Sequence, residues 1–317
     1  MFNSIWEDIK REFSYGNMVT RIIIINVAVF VVINVVWLGF QIAYGGQPNT
    51  MFTEVLAFFA MPAGWLKLLT HPWALITSMF LHVGFMHILF NMLMLYWFGR
   101  IIGDLLGDHR VLPLYLMAGL AGNAVYFITA NLFPAYGYSG SMGFGASGAV
   151  MGIVIASAVL TPESEMNLIL LGNVKLKYIA AVLLMIDVIS ISKMSNTGGH
   201  FAHLGGAAFG WFFIRRLQYG DDLAEPVNRL LNKMRGFFKK LTEGKSLKQR
   251  KGPRVAYRNP NKPKSRTEPR SSPRKRREND LNHQERVDSI LEKIKESGYE
   301  KLTREEKEYL FNASKKP

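Results

Sequence analysis

The chain has 317 residues, a net charge of +14 and no cysteine. The missing cysteines exclude disulfide bonds, thiol catalysis and cysteine metal sites. Apolar residues are concentrated in the first 220 positions, where they form long runs rather than the alternating patterns of a soluble domain. The predicted fold class is therefore all-α, a polytopic membrane protein followed by a polar tail.

Six apolar segments are predicted to cross a membrane, because about 20 apolar residues span a hydrocarbon core. The first run is too long for the apolar region of a cleavable signal peptide, so we expect it to remain as an anchor. The fourth run is short for a span. The segments form a membrane domain, residues 21–217, after an N-terminal segment, residues 1–20, and they lie near residues 21–40, 78–99, 111–132, 146–160, 167–191 and 199–217.

Basic residues mark one side of this predicted bundle. The connections on the other side are poor in charge, and the first of them carries only Glu54 and Lys67 between residues 41 and 77. Because Lys and Arg are retained on the cytoplasmic side, both termini are predicted to be cytoplasmic, in a bacterial inner (cytoplasmic) membrane. The basic residues that set this orientation are Lys10, Arg11, Arg21, Arg100, Arg110, Lys175, Lys177, Arg215 and Arg216.

Four polar residues fall within three of the apolar segments. Ser147 opens the fourth segment, His203 lies near the start of the sixth, and His87 and Asn91 share one face of the second at i, i+4 spacing. Counting about 1.5 Å per helical residue places all four at a similar depth below one face of the membrane. A lone intramembrane serine is most often a packing residue. Four polar residues at one depth instead favour a functional site, because burying them in lipid is costly.

The motifs around these residues resemble those of the rhomboid intramembrane serine proteases over about residues 15–220. The resemblance implies a six-helix membrane bundle and cleavage of transmembrane protein substrates, with no cofactor and no metal. It also implies that Ser147 is the nucleophile, His203 its general base, and His87, Asn91 and the Ser147 backbone N–H the oxyanion donors. The matching stretches, in the family's order, are His87-Ile88-Leu89-Phe90-Asn91, Gly145-Ala146-Ser147-Gly148 and His203-Leu204-Gly205-Gly206.

The chemistry of such a site follows from the residue types. A serine hydroxyl is a weak nucleophile until a neutral imidazole removes its proton, and the resulting oxyanion needs preorganised donors. His200 is the nearest rival to His203, but only His203 precedes the Gly-Gly pair as in the family. No acidic residue is evident beside His203, and Asp187, in the fifth segment, is assigned a packing or folding role.

Two residues depart from the family's pattern. Ala74 follows Trp73 where the family commonly has an arginine in the outer loop, and Met151 stands where many members have an aromatic residue one turn after the serine. A methionine thioether can cover an aromatic ring, so we expect altered packing and retained activity.

The predicted function is intramembrane serine endopeptidase activity on transmembrane substrates. One alternative is a non-proteolytic rhomboid-fold protein that binds membrane-protein clients. The second is an ion or proton carrier, which would need acidic residues along a path where only Asp187 is available.

Three further segments follow the predicted membrane domain. Residues 218–243 are predicted to form a basic amphipathic helix at the membrane surface, and residues 244–280 to be a disordered basic linker, because that composition cannot bury a core. Residues 281–317 are predicted to form a small helical hairpin, in which Gly298 ends one helix and a capping box at Thr303 and Glu306 begins the next. Anionic lipid is the expected partner of the basic segments, and no nucleic acid is expected.

Overall fold

The computed structural model of the protein describes residues 2–46, 50–133, 142–168, 172–193, 196–242, 286–295, 298 and 301–314. The chain divides into two compact units, residues 1–246 and residues 247–317. The linker predicted at residues 244–280 lies outside the described residues.

The first unit is mostly helical. Its short strands pair antiparallel, β1 with β2 and β3 with β4, so the all-α prediction omits two small β elements. In chain order its elements are α1 (Phe2–Tyr15), α2 (Met18–Ala43), α3 (Thr50–Phe59), β1 (Met61–Pro62), α4 (Trp65–Thr70), α5 (Ala74–Thr77), α6 (Phe85–Leu106), α7 (Val111–Leu132), β2 (Met142–Gly143), α8 (Ser147–Leu160), β3 (Glu165–Leu168), β4 (Gly172–Lys175), α9 (Leu176–Ile191), α10 (Thr197–Gln218) and α11 (Ala224–Thr242).

Helices occupy all six predicted apolar segments, but two of them begin later than predicted. Helix α6 begins at Phe85 because Leu81 and Gly84 are extended, with ψ of 124° and 136°. Helix α9 begins at Leu176 because residues 165–168 and 172–175 form the paired strands β3 and β4. Among the described residues, three helical stretches are long and apolar enough to cross a membrane, Met18–Ala43, Phe85–Leu106 and Asp108–Leu132.

Glycines set the geometry of the helices around α8. A Cβ added to Gly206 of α10 would clash with the carbonyl oxygen of Gly148, and one added to Gly210 would clash with that of Gly152. From the first contact to the second, the chain advances by four residues in α8 and by four residues in α10. The two helices therefore run parallel, with their backbones in contact. Small residues permit this close approach, as is common between membrane helices.

Helix α6 runs parallel to the same pair. The His87 ring lies against Gly145 just before α8, and near the other end the Ser157 hydroxyl donates to the Phe98 carbonyl at 2.9 Å. The N-termini of α6, α8 and α10 therefore lie at one end of the unit. Helix α8 is the central element, because eleven of its 14 residues are buried.

The connections pair at both ends of the first unit. At the end rich in basic residues, the Met18 N–H donates to Asp108 at 2.6 Å and Arg110 pairs with Asp222 at 2.7 Å. At the other end, β1 pairs with β2, and the Asn131 amide donates to the Ala63 carbonyl at 2.9 Å. The long connection between α2 and α6 is thus attached to the chain that leads into α8.

The second unit contains helix α12, residues 286–295, and helix α13 (Arg304–Ser314). The predicted capping box is present: the Thr303 N–H donates to the Glu306 carboxylate at 2.8 Å, and the Glu306 N–H donates to the Thr303 hydroxyl at 3.3 Å. Lys293 of α12 pairs with Glu306 at 2.8 Å, and these contacts hold the pKa of Glu306 at about 2. Among the described residues of the second unit, the buried apolar side chains are those of Ile290 and Leu302.

Candidate active site

A cleft of about 860 Å³ opens at the shared N-terminal end of α6, α8 and α10. Ser147, His203, His87 and Asn91 all line it, so the structure brings the four residues singled out by the sequence to one cavity. The rest of its wall is largely apolar and includes Met86, Phe90, Met94, Val150, Met151, Val154 and Leu183.

A tight turn presents Ser147 as the first residue of α8. Gly145 has φ of +123°, a conformation that favours glycine, and a Cβ there would lie 2.7 Å from the His87 ring. The Gly145 N–H donates to the Ser78 carbonyl at 2.9 Å, and the Ala146 N–H donates to His82 Nε2 at 3.2 Å. Backbone and imidazole acceptors from the segment before α6 thus hold the turn that carries Ser147.

His203 is held through its Nδ1 atom. It lies 2.8 Å from Asp187 Oδ1, and His200 Nδ1 lies 2.7 Å from the same oxygen. A neutral His203 that donates its Nδ1 proton to the carboxylate keeps the Nε2 lone pair free to accept another proton. The prediction that no acidic residue lies beside His203 is therefore wrong, whereas the packing or folding role assigned to Asp187 stays a prediction.

The contact between Asp187 and His203 was not predicted because the two residues lie 16 positions apart in the chain. A short connection joins α9 to α10, so the last turns of α9 lie level with the first turns of α10. A depth count from this connection, like the one applied to the other helices, would have placed Asp187 beside both histidines.

The two proposed oxyanion donors differ in their surroundings. His87 is exposed in the first turn of α6, and its ring lies 5.0 Å from that of buried His82. Asn91 is buried, with its amide nitrogen donating to the His87 carbonyl at 2.8 Å. That nitrogen carries a second hydrogen, which can serve another acceptor.

The N-terminus of α8 adds backbone donors to the cleft. Its N-cap residue, Ala146, makes no side-chain capping bond, and the first intrahelical bond runs from the Val150 N–H to the Ala146 carbonyl. The N–H groups of the first turn therefore have no partner within the helix, and the helix dipole is positive at this end. Negative charge developing beside Ser147 would be stabilised there.

His82 is a second residue whose role the sequence did not reveal. It is fully buried and accepts the Ala146 N–H through Nε2. No spacing in the chain links it to residue 146, since the contact joins positions 64 residues apart.

The connection between α2 and α6 is held in place without the arginine that the family commonly has after the tryptophan at position 73. The Trp73 indole donates to the Phe58 carbonyl at 2.8 Å, and Thr77 donates to the Phe59 carbonyl at 2.7 Å. The rings of Phe58, His71 and Trp73 pack together at centroid distances of 4.9–5.3 Å. These contacts attach the C-terminal end of α3 to the segment around α5.

Family comparisons match the part of the chain that builds this cleft. Residues 69–219 match the family model described as Rhomboid domain. Residues 274–316 match a separate model, a family of unknown function (DUF6576).

Three relatives illustrate the similarity. The mitochondrial presenilin-associated rhomboid-like protein of Mus musculus is 31% identical over 199 residues, covering 59% of this chain and 48% of that protein. The mitochondrial RHOMBOID-like protein 12 of Arabidopsis thaliana is 29% identical, covering 67% of this chain and 62% of that protein. The rhomboid protease GluP of Bacillus subtilis is 30% identical, covering 53% and 30% respectively. The chain thus spans about half the length of the mouse relative.

The expected bacterial inner membrane, with both termini cytoplasmic, is contradicted by two of these relatives. The mouse and Arabidopsis proteins are mitochondrial. The charge rule identifies which side of a membrane carries the basic connections, but it does not identify the organelle.

The comparisons and the architecture agree on the family. The matched region includes the five helices whose residues line the cleft, α6 to α10, and it contains each of the motifs that carried the resemblance. The chain belongs to the rhomboid family.

Proposed function

We propose that this protein is an intramembrane serine endopeptidase that hydrolyses peptide bonds in or near transmembrane segments. The observation that carries the proposal is the convergence of Ser147, His203, His87 and Asn91 on one cleft from three parallel helices. A helix N-terminus and an acid-paired imidazole at the same place are the parts that acyl transfer requires.

In the proposed mechanism, His203 Nε2 accepts the proton of the Ser147 hydroxyl while Oγ attacks the scissile carbonyl carbon. Asp187 is a positioning residue that holds the ring through Nδ1 and stabilises the imidazolium. The oxyanion is stabilised by the Ser147 N–H, Asn91 and His87. His203 then donates the proton to the leaving amine, and an activated water hydrolyses the acyl-enzyme and restores Ser147.

The proposed membrane domain is a bundle of six spans, α2, α6, α7, α8, α9 and α10. Three of these helices, α8, α9 and α10, are shorter or more polar than a lone span. Helices α8 and α9 have 14 and 16 residues, shorter than the roughly 20 that a lone span needs. Helix α8 is enclosed by its neighbours, so its ends do not have to reach the lipid surface. Helix α10 is less apolar than the other five helices because it contains His200, His203 and several glycines.

The proposed substrates are transmembrane proteins, because much of the cleft wall is apolar. Met86 and Phe90 of α6 line the cleft and are highly exposed, which suits contact with an apolar segment in lipid. The rhomboid domain and the protease relative support this substrate class.

Helix α11 is proposed to lie on an anionic membrane surface. It is anchored next to α7, where the Asn228 amide donates to the His109 carbonyl at 3.0 Å. Its exposed apolar residues follow i, i+4, i+7, i+8 spacing at Leu230, Met234, Phe237 and Phe238, accompanied by Arg229, Lys233, Arg235 and Lys239.

The non-proteolytic and ion-carrier alternatives account for less of the site. Neither explains why an uncapped helix N-terminus and a serine lie beside an acid-paired histidine. An ion carrier also needs a path lined with acidic residues, whereas Asp187 alone supplies acid at the cleft histidines among the described residues.

Labelling with a fluorophosphonate tests the proposal on the purified full chain. The wild-type protein should be labelled at Ser147, and Ser147→Ala should not react. His203→Ala should react much more slowly, because the serine then lacks its base. If wild type and Ser147→Ala are labelled to the same extent, Ser147 is not an activated nucleophile and the binding-protein reading replaces this one.

A further inference from the structure

A polar cluster of the first unit joins Asp187, His200 and His203. One carboxylate oxygen, Asp187 Oδ1, lies 2.7 Å from His200 Nδ1 and 2.8 Å from His203 Nδ1. Catalysis as proposed uses only one of these two imidazoles. The second histidine on the same oxygen therefore calls for a separate explanation.

The carboxylate itself is incompletely satisfied. The Asp187 side chain is only 5% exposed, and its second oxygen, Oδ2, is buried without a hydrogen-bond partner among the described residues. A buried carboxylate oxygen without a partner is costly. A cation bound at the cluster would supply the missing interaction.

We propose that Asp187, His200 and His203 form an inhibitory site for a zinc-type divalent cation. Their candidate ligand atoms all lie within 4.8 Å of one another. Two imidazole nitrogens and a carboxylate are ligands that Zn²⁺ favours, at about 2.0–2.2 Å from the metal, with a fourth position left for water or substrate. Gathering three such ligands around an ion requires only small movements of side chains that already meet at one oxygen.

The ion would stop catalysis through the tautomer of His203. A metal bound at Nδ1 leaves the proton of a neutral imidazole on Nε2, the proton having moved there through solvent. That nitrogen can then no longer accept the proton of Ser147. The inhibitory half of this inference rests on the proposed protease function, whereas cation binding does not.

The cation has a route to the cluster. His203 lines the cleft, and the side chains of His200 and His203 are 16% and 18% exposed. Asp187 forms the buried back of the site. Mg²⁺ is a poor candidate, because it prefers octahedral oxygen coordination to imidazole.

Binding is tested by equilibrium dialysis of Zn²⁺ against the full chain in detergent, purified without a histidine tag. The wild type and the uncleaving Ser147→Ala variant should each bind a single Zn²⁺ at this site. Replacing His200 with alanine should weaken that binding by at least about tenfold, since even loss of an outer-shell partner can cost this much. The matched control is His109→Ala, which removes an exposed imidazole elsewhere and should bind as wild type does.

Several results would overturn the site. One is the absence of stoichiometric Zn²⁺ binding by folded wild-type and Ser147→Ala proteins. Another is equal loss of binding in His109→Ala and His200→Ala, which would describe unspecific histidine binding. A thermal unfolding scan of each variant separates a lost ligand from a lost fold. His203→Ala provides a second ligand deletion if His200→Ala fails to fold.

Inhibition is tested separately, on cleavage of a single-span model substrate. Zn²⁺ should inhibit the wild type, Mg²⁺ should not, and a chelator should restore the rate. His200→Ala, which we expect to retain measurable cleavage, should need at least about tenfold more Zn²⁺. Zn²⁺ bound at the cluster without inhibition would overturn the inhibitory role alone. A wild type that never cleaves would overturn the proposed function, while the dialysis result would still decide the metal site.

Discussion

Helices α2 and α8 are both strongly apolar, yet they occupy opposite environments. Only four of the 26 residues of α2 are buried, Val19, Ile22, Asn26 and Ile33, whereas eleven of the 14 in α8 are. Helix α2 is rich in Ile and Val, while α8 carries glycine and alanine at its contacts with neighbouring helices. Hydropathy therefore does not distinguish a peripheral membrane helix from a central one, but the distribution of small residues does.

The site depends on this difference. Gly148, which contacts Gly206, follows Ser147 directly, and Gly206 lies one turn after His203. The backbone contact of α8 and α10 thus places the proposed nucleophile and the proposed base next to the point of closest approach. The comparison predicts large effects of substitutions at this end of α8 and small effects in α2 and the tail.

The largest effect is expected at Ser147. Ser147→Ala and His203→Ala should each abolish cleavage of a single-span substrate, because the nucleophile or its base is lost while the packing of α8 and α10 is kept. Cleavage is measured in detergent and in liposomes, with expression and insertion as controls. Cleavage by Ser147→Ala at the wild-type rate would end the serine-protease reading. His200→Ala should retain measurable activity, and exchanged phenotypes of the two histidine variants would reverse the assignment of the base.

Asp187→Asn should lower kcat by about 100- to 10,000-fold, because an amide no longer favours the tautomer that leaves Nε2 free. KM should change little, since the carboxylate is buried behind His203. Asp187→Glu keeps the charge and should recover part of the rate. If kcat falls equally in Asp187→Asn and Asp187→Glu and both variants unfold at a lower temperature, Asp187 acts only in folding.

Matched glycine substitutions compare the two helices directly. Gly206→Ala would push a Cβ into the Gly148 carbonyl, and an ångström-scale displacement of the dyad can cost about 100-fold in rate. Gly39→Ala is the control, because nothing lies within 4 Å of a Cβ at that position in α2. Cleavage rate and thermal stability are measured for both variants. Equal tolerance of the two changes would contradict the role of the α8–α10 contact.

Asn91→Ala should lower kcat by about 10- to 1,000-fold with a smaller effect on KM, because a donor to the oxyanion acts mainly in the transition state. His87 and the Ser147 N–H remain to limit the loss. Steady-state kinetics with one substrate measure kcat and KM separately. A change confined to KM would instead assign Asn91 to substrate binding or packing.

The smallest effect is expected from removal of residues 244–317. All the residues of the proposed mechanism precede this segment, so the truncated chain should still insert and cleave a detergent-solubilised substrate. Membrane binding by α11 and the tail should be tested separately, with a soluble fusion of residues 221–317 on vesicles. Binding to anionic vesicles should fall as salt rises and should be absent on neutral vesicles. A folded but inactive truncated protein would show that the tail contributes to catalysis.

Much of this arrangement could be predicted from the sequence. The approximate positions of the six apolar helices, and the common level of Ser147, His203, His87 and Asn91 along them, follow from hydropathy and from counting along helices, because both depend on local chain geometry. Gly298 and the capping box at Thr303 could also be placed, since a helix end is specified by neighbouring residues.

Only the tertiary structure decided which residues meet across the site. The support of the Ser147 turn by Ser78 and His82, and the sharing of Asp187 by two histidines, join residues far apart in the chain. An apolar run determines that a segment is helical and buried in lipid or protein, but it does not determine its neighbours. Those neighbours are selected by backbone contacts at particular glycines and by the few polar groups that must pair in an apolar interior.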